Sequence, residues 1–500
     1  MENFNIMSKG ITLNPTIVIP AEKSKAESYG LKNQVLSHFE VLGQSIANIA
    51  PTGTPTVVIP LVFAAAGALT WFAYAFALVG IVLIASSINQ FAKRSASPGS
   101  IYTYIATGLG PAWGIAAGWT LLIAYIGCAA SVTTGFANYV NVFLKDIFNL
   151  TNGLPPILLV VAILASVAGS WYIAYRDIKL STRVMLGLEL VSVAFILIVV
   201  IATLFHQGFS IDLSQFAFKD LTLTNLRLGL VMAIFSFTGF ESAATLGSEA
   251  KSPLKSIPRA LLQSAILVGL LFVVASYAQV VGFKGNEITL DKSDAPLQVL
   301  ASKAGIGFFG ILISVGAIFS FFACVLACIN AGARVLFLMG RHGIFHSFVG
   351  GAHESNETPH NAVSLVSVIA FIPAAFLAWK GNGMFDIYGW LGTIATLGFI
   401  LTYIIVSVAA PVYLYRRNEL KTRHIVVSLA GITFMVVALI GAVYPWPGGP
   451  AGFSIIAFGV LLLLGIIWGV VLYFALPKVH SAINKDMDEI KTRYEDGAGI

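Results

Sequence analysis

The sequence predicts an all-α membrane protein with about twelve transmembrane helices in one membrane domain. Three observations carry this. Of 500 residues, 57% are hydrophobic and 10% are charged, where soluble proteins carry about 25% charge; no water-soluble fold of this size hides so much apolar surface. Roughly 20 apolar residues cross the hydrocarbon layer, and a window of that length finds twelve runs joined by short connections. Lys and Arg then concentrate on one side of the alternating loops, as they do in cytoplasmic loops.

In chain order, residues 1–36 are polar, with no long apolar core and no small-residue cleavage site, and read as a cytoplasmic segment rather than a signal peptide. Spans follow at 37–66, 69–92, 111–142, 154–175 and 180–205. A second set lies at 226–249, 258–283, 305–338, 361–380 and 385–415. A last pair, 424–445 and 451–476, precedes a cytoplasmic tail at 477–500. The even count returns the C-terminus to the side of the N-terminus. Of 29 Lys and Arg, only Lys145, Lys219, Arg227, Lys284, Lys292, Lys303 and Lys380 fall outside the cytoplasmic side. The net charge of +6 is therefore a matter of topology and of contact with anionic lipid, with the bilayer and not a nucleic acid as partner. Cys128, Cys324 and Cys328 lie within spans and read as small apolar side chains; neither metal nor cofactor is expected.

Span 1 contains SIANIAPTGTPTVVIP, from Ser45 to Pro60. In lipid every peptide N–H and C=O needs a partner within the protein, so non-helical backbone at membrane depth survives only beside protein or a water-filled cavity. Pro51 and Pro55 each lack a donor and clash with the preceding turn, Gly53 permits unusual dihedrals, and Thr52, Thr54 and Thr56 can bond freed backbone groups. These residues predict two half-helices with an unwound joint near 51–55; a plain proline kink is the alternative. Span 6 repeats the pattern, with Ser236, Thr238 and Gly239 near its midpoint and Glu241 just after. Five spans separate the two interruptions. An odd number inverts the second unit relative to the first, which is the inverted-repeat layout of many secondary transporters.

The stretch FSFTGFESAATLGSEAKSPLKSIPRA, residues 235–260, resembles the sixth-helix signature of the amino acid, polyamine and organocation transporters. SASPGSIYTYIATGLGP at 95–111 and GARVLFLMGRHGIF at 332–345 are similar to two further motifs of that family. The resemblance covers about 40–420 and implies a LeuT-like five-plus-five inverted repeat, 37–205 and 226–415, followed by two additional helices. Thr52-Gly53-Thr54 stands where relatives often carry Gly-Ser-Gly. Arg341-His342-Gly343 replaces the usual Arg-Asp-Gly, and Ser192 takes the place of a fifth-helix lysine found in some relatives.

The resemblance implies an amino acid permease, and helix dipoles fit it. The start of the second half of span 1, beside Pro51 and Thr52, offers N–H groups around Gly53 and Thr54, which suit a carboxylate. The end of the first half of span 6 offers carbonyls near Ile234, Phe235 and Ser236, which suit an ammonium, and Gly239 completes the substrate-binding set. Two opposed backbone ends thus recognise the constant part of any amino acid. The resemblance also makes Phe235 a covering aromatic, or gate, with core packing as the alternative. Ser131, Thr133, Thr134, Ser320, Cys324, Thr393 and Thr396 are candidates for side-chain selectivity, although small hydroxyls also serve ordinary helix packing. Without an evident intramembrane acid facing the joints, a neutral amino acid is expected.

Acids within spans are costly and mark coupling sites. Glu189 in span 5 and Glu241 in span 6 are the candidates for proton coupling, proton being preferred to sodium; Glu241 is alternatively a structural cap and Glu189 one half of an ion pair. Glu249, at the cytoplasmic end of the signature, is expected to close the inner gate through a salt bridge. A carbonyl-lined channel filter and a catalytic constellation are both missing from the sequence, so neither a channel nor an enzyme is expected. The alternatives that stay open are a carrier of ethanolamine or a polyamine, an amino acid exchanger, and a non-transporting sensor.

Overall fold

The computed structural model describes residues 29–150, 152–218, 223–293, 295–475 and 477–495. Most of the N-terminal segment, Lys219, expected on the outer side, and the last five residues of the tail therefore lie outside the described residues. Everything described is helical or loop, apart from one parallel bridge between Leu36 and Ala250.

Helix α1, His38–Ile49, starts at Ser37 in a reciprocal capping box: the Glu40 N–H reaches Ser37 Oγ at 3.4 Å, and the Ser37 N–H reaches Glu40 Oε2 at 2.8 Å. Ala50 then turns left-handed at φ 51°. After Pro51 and Thr52 the chain resumes as a π turn, Thr54–Val58, that runs into α2, Ile59–Ala66. Gly67, at φ 55°, leads the chain into α3, Thr70–Ala92. The apolar run His38–Ala92 is 55 residues long. Straight, it would measure about 80 Å, well over twice the ~30 Å hydrocarbon layer, so it is two crossings. Eleven stretches among the described residues are long and apolar enough to span; counting this one twice gives the expected twelve.

Short α4, Ile101–Leu109, leads into α5, Pro111–Phe148, followed by α6, Pro156–Arg176, and α7, Ile178–His206. Asp177 caps α7, its Oδ1 accepting the Lys179 and Leu180 N–H groups at 2.6 and 3.0 Å. Helix α8, Leu223–Phe235, stops as predicted at mid-span. The chain then turns through 236–239 and continues as a 3₁₀ run, Phe240–Leu246, rather than as the α-helical second half the sequence suggests. Next come α9, Pro253–Phe283, short α10, Pro296–Lys303, and α11, Phe309–Arg341. They are followed by α12, His360–Trp379, α13, Met384–Arg416, α14, Thr422–Val443, α15, Gly449–Ala475, and α16, Pro477–Glu495. Prolines open α5, α6, α9 and α10, where the missing N–H costs nothing.

Helices α5 and α11 form the centre: α5 packs on α11 and α13, and α11 also packs on α7. Helix α15 packs on the outside against α13 and α5 and leaves Leu463, Leu464, Ile466 and Ile467 exposed, a surface suited to lipid. Tails were expected where α16 lies. That helix buries Val479, Ile483, Met487 and Ile490, spaced to fall on one face. The Tyr29 hydroxyl donates to Asp486 Oδ1 of α16 at 2.9 Å, so both described chain ends meet on one face of the bundle, as an even number of crossings requires. This is called the terminal face below.

Candidate functional site

The two interruptions lie against each other. The Asn48 carboxamide, in the last turn of α1, donates to the Gly239 carbonyl at 3.2 Å. Ser45 Oγ donates to the Phe240 carbonyl at 2.6 Å and accepts the Ala243 N–H at 3.2 Å. Gly239 sits at φ 90°, and a Cβ there would stand 2.4 Å from Asn48 Nδ2. Both its dihedral and its neighbour thus require glycine.

Most backbone groups released by the breaks are bonded again within the protein, as lipid demands. In the first break the Thr54 N–H reaches the Ala50 carbonyl at 3.2 Å and the Thr52 N–H reaches Ser320 Oγ at 3.4 Å. Thr56 Oγ1 donates to the Thr52 carbonyl at 2.9 Å, and Gln279 of α9 donates to the Pro55 carbonyl at 2.9 Å. In the second break, the carbonyl of Ile234 accepts the Phe237 N–H at 2.9 Å. That of Phe235 accepts the Thr238 N–H at 3.1 Å and its hydroxyl at 2.7 Å. Three groups that the dipole reading leaves open, at Thr54, Ile234 and Phe235, are therefore engaged by tight turns. Ser236 Oγ lies 3.1 Å from the Tyr74 hydroxyl. Thr52 Oγ1 is buried and, among the described residues, has no hydrogen-bond partner.

Aromatic rings close the space beside the breaks. The Phe235 ring meets Tyr388 edge-on at 5.8 Å, and Tyr388 meets Phe321 at 6.0 Å. Phe321, from α11, fits because its neighbours are small: a Cβ on Gly53 would stand 2.8 Å from the ring, and one on Gly135 2.6 Å. Sequence reasoning missed Phe321; Gly53 in the first break and Gly135 in α5, which both make room for its ring, were the available signal. Ser131 donates to the Tyr388 carbonyl at 2.7 Å, while Thr133 bonds Ser166 of α6. Thr134, Thr393 and Thr396 donate to carbonyls three or four residues back in their own helices, which is the ordinary role of such hydroxyls in membrane helices.

The two intramembrane acids sit on either side of this centre. Glu189 of α7 is buried, and Ser320 Oγ stands 3.0 Å from both its carboxyl oxygens, with Ser192 Oγ at 3.2 Å from one. Because Ser320 also accepts the Thr52 N–H, one hydroxyl links Glu189 to the first break. A cavity of about 410 Å³ between α1, α7 and α9 reaches Pro51 and Glu189 and is otherwise lined by aliphatic side chains. Glu241 is buried too. It accepts the Tyr125 hydroxyl of α5 at 2.8 Å and the Tyr403 hydroxyl of α13 at 2.5 Å. Neither acid has a basic partner among the described residues.

Glu249 and Arg334 form a buried, two-pronged ion pair at the terminal face. Arg334 Nη2 and Nε lie 2.6 and 2.9 Å from the two Glu249 oxygens, and the side chains are 1% and 0% exposed. Glu249 thus has a salt-bridge partner, and it comes from α11 rather than from the basic residues that follow Glu249 in sequence, Lys251 and Arg259. The N-terminal segment seals the pair: the N–H groups of Val35 and Leu36 donate to the Glu249 carbonyl at 2.8 and 2.9 Å, and the Lys251 N–H donates to Leu36. His342 is buried, with its Nε2 3.2 Å from Asp486 Oδ2 and its Nδ1 2.5 Å from the Tyr102 hydroxyl. The replacement of Asp by His in the Arg341-His342-Gly343 motif thus has an acidic counterpart in α16.

Residues 40–482 match the family model described as amino acid permease. The chain is 30% identical over 314 residues to the low-affinity putrescine importer PlaP of Escherichia coli (strain K12), covering 61% of this chain and 66% of that protein. It is 25% identical over 485 residues to the methylthioribose transporter of Bacillus subtilis (strain 168), covering 93% and 97%. To the branched-chain amino acid permease BcaP of the same organism it is 22% identical over 475 residues, covering 89% and 91%. A family match over nearly the whole chain, on an all-helical bundle whose first and sixth spans break side by side, establishes that the chain belongs to the amino acid permease family.

Proposed function

We propose that this chain is a secondary active transporter that carries amino acids across the cytoplasmic membrane by alternating access, with proton coupling and a preference for neutral substrates. The observation that carries the reading is the unpartnered Thr52 hydroxyl, buried at a helix break that touches a second break through Asn48 and Gly239. A buried polar atom without a partner costs about 1–3 kcal/mol, which a polar solute at that place would recover. Pro51, Thr52, Gly53, Ser236 and Gly239 supply the polar floor. Phe235, with Tyr388 and Phe321, supplies the cover over it, and Ser131 fixes Tyr388. Residues 37–205 and 226–415 act as the two inverted halves, and the terminal face is cytoplasmic, where Lys93, Arg94, Arg176, Arg416 and Arg417 fall.

Glu189 serves as the proton carrier in this reading, because its hydroxyl partner Ser320 also holds the first break; a change at the carboxyl is felt there at once. Glu241, tied by two tyrosines to α5 and α13, supports the second break. A second reading, a carrier of diamines, is favoured by the similarity to the low-affinity putrescine importer.

Uptake of the twenty amino acids, putrescine and ethanolamine into proteoliposomes, with and without an imposed pH gradient, tests both. Accumulation of a neutral amino acid driven by inward proton flow is the expected result. Accumulation of putrescine alone favours the second reading, and uptake that follows sodium and ignores pH removes the proton.

A further inference from the structure

Cys128 of α5 and Cys324 and Cys328 of α11 are buried, and their sulfur atoms all lie within 4.8 Å of one another. From the sequence they are separate small side chains. Cys324 and Cys328 share a helix face, and the packing of α11 on α5 brings the third thiol to them. Asn48 of α1 completes the group, with its Oδ1 2.8 Å from Cys328 Sγ and its backbone oxygen 3.3 Å from Cys324 Sγ.

We infer that these three thiols and the Asn48 carboxamide oxygen form a binding site for a soft divalent cation of the zinc and cadmium type. Sulfurs bound to tetrahedral zinc at about 2.3 Å stand about 3.8 Å apart, so closure by no more than about 1 Å completes the shell. Soft sulfur donors select against magnesium and calcium, which take oxygen. Binding breaks three S–H bonds and releases three protons to solvent, because each ligating sulfur is a thiolate. The Asn48 oxygen joins as the neutral fourth donor, and the filled site carries one net negative charge spread over the three sulfurs. A cation there ties α5 and α11 to α1 two residues before Ala50 and holds the first break still. Arrest of uptake rests on the transport reading above; binding does not.

The test is titration of the reduced, detergent-purified full chain with cadmium, followed by the thiolate-to-cadmium ultraviolet band and by equilibrium dialysis. One cadmium per chain is expected, displaced by zinc. The affinity loss in C128S or C324S should be at least the about tenfold that even an outer-shell partner costs, and the band should vanish in C128S/C324S/C328S. The protein contains only three cysteines, so alkylation of the unmutated chain reads the site without any variant, and cadmium should slow it. No band in the unmutated chain, undiminished alkylation, or equal cadmium binding by the triple variant each overturns the site. In proteoliposomes, cadmium should stop uptake by the unmutated chain and spare the triple variant; equal inhibition of both overturns the arrest.

Discussion

At the residue scale the two breaks depend on glycines for different reasons. Gly53 has an ordinary φ of −59°, so Gly53→Ala meets packing alone: the Phe321 ring at 2.8 Å and the Ala50 Cβ at 3.2 Å. It should lower transport, and adding Phe321→Leu, which relieves the ring contact but not the Ala50 one, should restore part of it. Gly239→Ala combines the Asn48 contact with a left-handed dihedral worth about 1–2 kcal/mol to a non-glycine residue. Asn48→Ala should therefore fail to rescue it, and a lowered melting temperature of the purified variant measures the loss. Glu189→Gln preserves volume and a hydrogen bond to Ser320 but removes the exchangeable proton. Accumulation driven by a pH gradient should disappear while counterflow of labelled substrate persists. The composition of the first break was legible because proline and glycine act locally. Phe321, Asn48 and Tyr388 were not, because what recruits them is the packing of distant helices, and neither a lone phenylalanine nor an asparagine in a span announces its neighbour.

At the scale of elements, the Glu249–Arg334 pair joins the signature after the sixth span to α11. Removing one member strands the other charge in a buried site, which costs about 3–5 kcal/mol. Glu249→Ala and Arg334→Ala should each lower the melting temperature sharply, whereas Glu249→Met with Arg334→Met should recover most of it; transport assays then separate stability from function. The position of Glu249 was legible from its motif. Its partner lies 85 residues away, and only the fold selects Arg334 over Lys251 and Arg259. Helix α16 was read as a polar tail because its mean composition is hydrophilic, yet its four buried apolar residues follow a helical stripe. Asp486→Asn should weaken its hold on Tyr29 and His342, seen as faster proteolysis between α15 and α16.

At the scale of the whole molecule, the twelve-span plan and the meeting of the chain ends constrain topology together. Cysteines introduced at Lys421 and Lys485 should react with an impermeant maleimide from the same side of sealed vesicles, and one at Lys380 from the opposite side. Reaction of all three from one side would break the topology. Composition alone was enough for the spans, since burial in lipid acts on averages over 20 residues or so, while helices α4 and α10 escaped notice because short amphipathic pieces carry no such average. The contact between Leu36 and residues 249–251 has a mechanical consequence. Three main-chain hydrogen bonds hold the segment that covers the buried Glu249–Arg334 pair. Movement of that segment away from the bundle would expose the pair to water, so any opening toward the terminal face has these bonds to break.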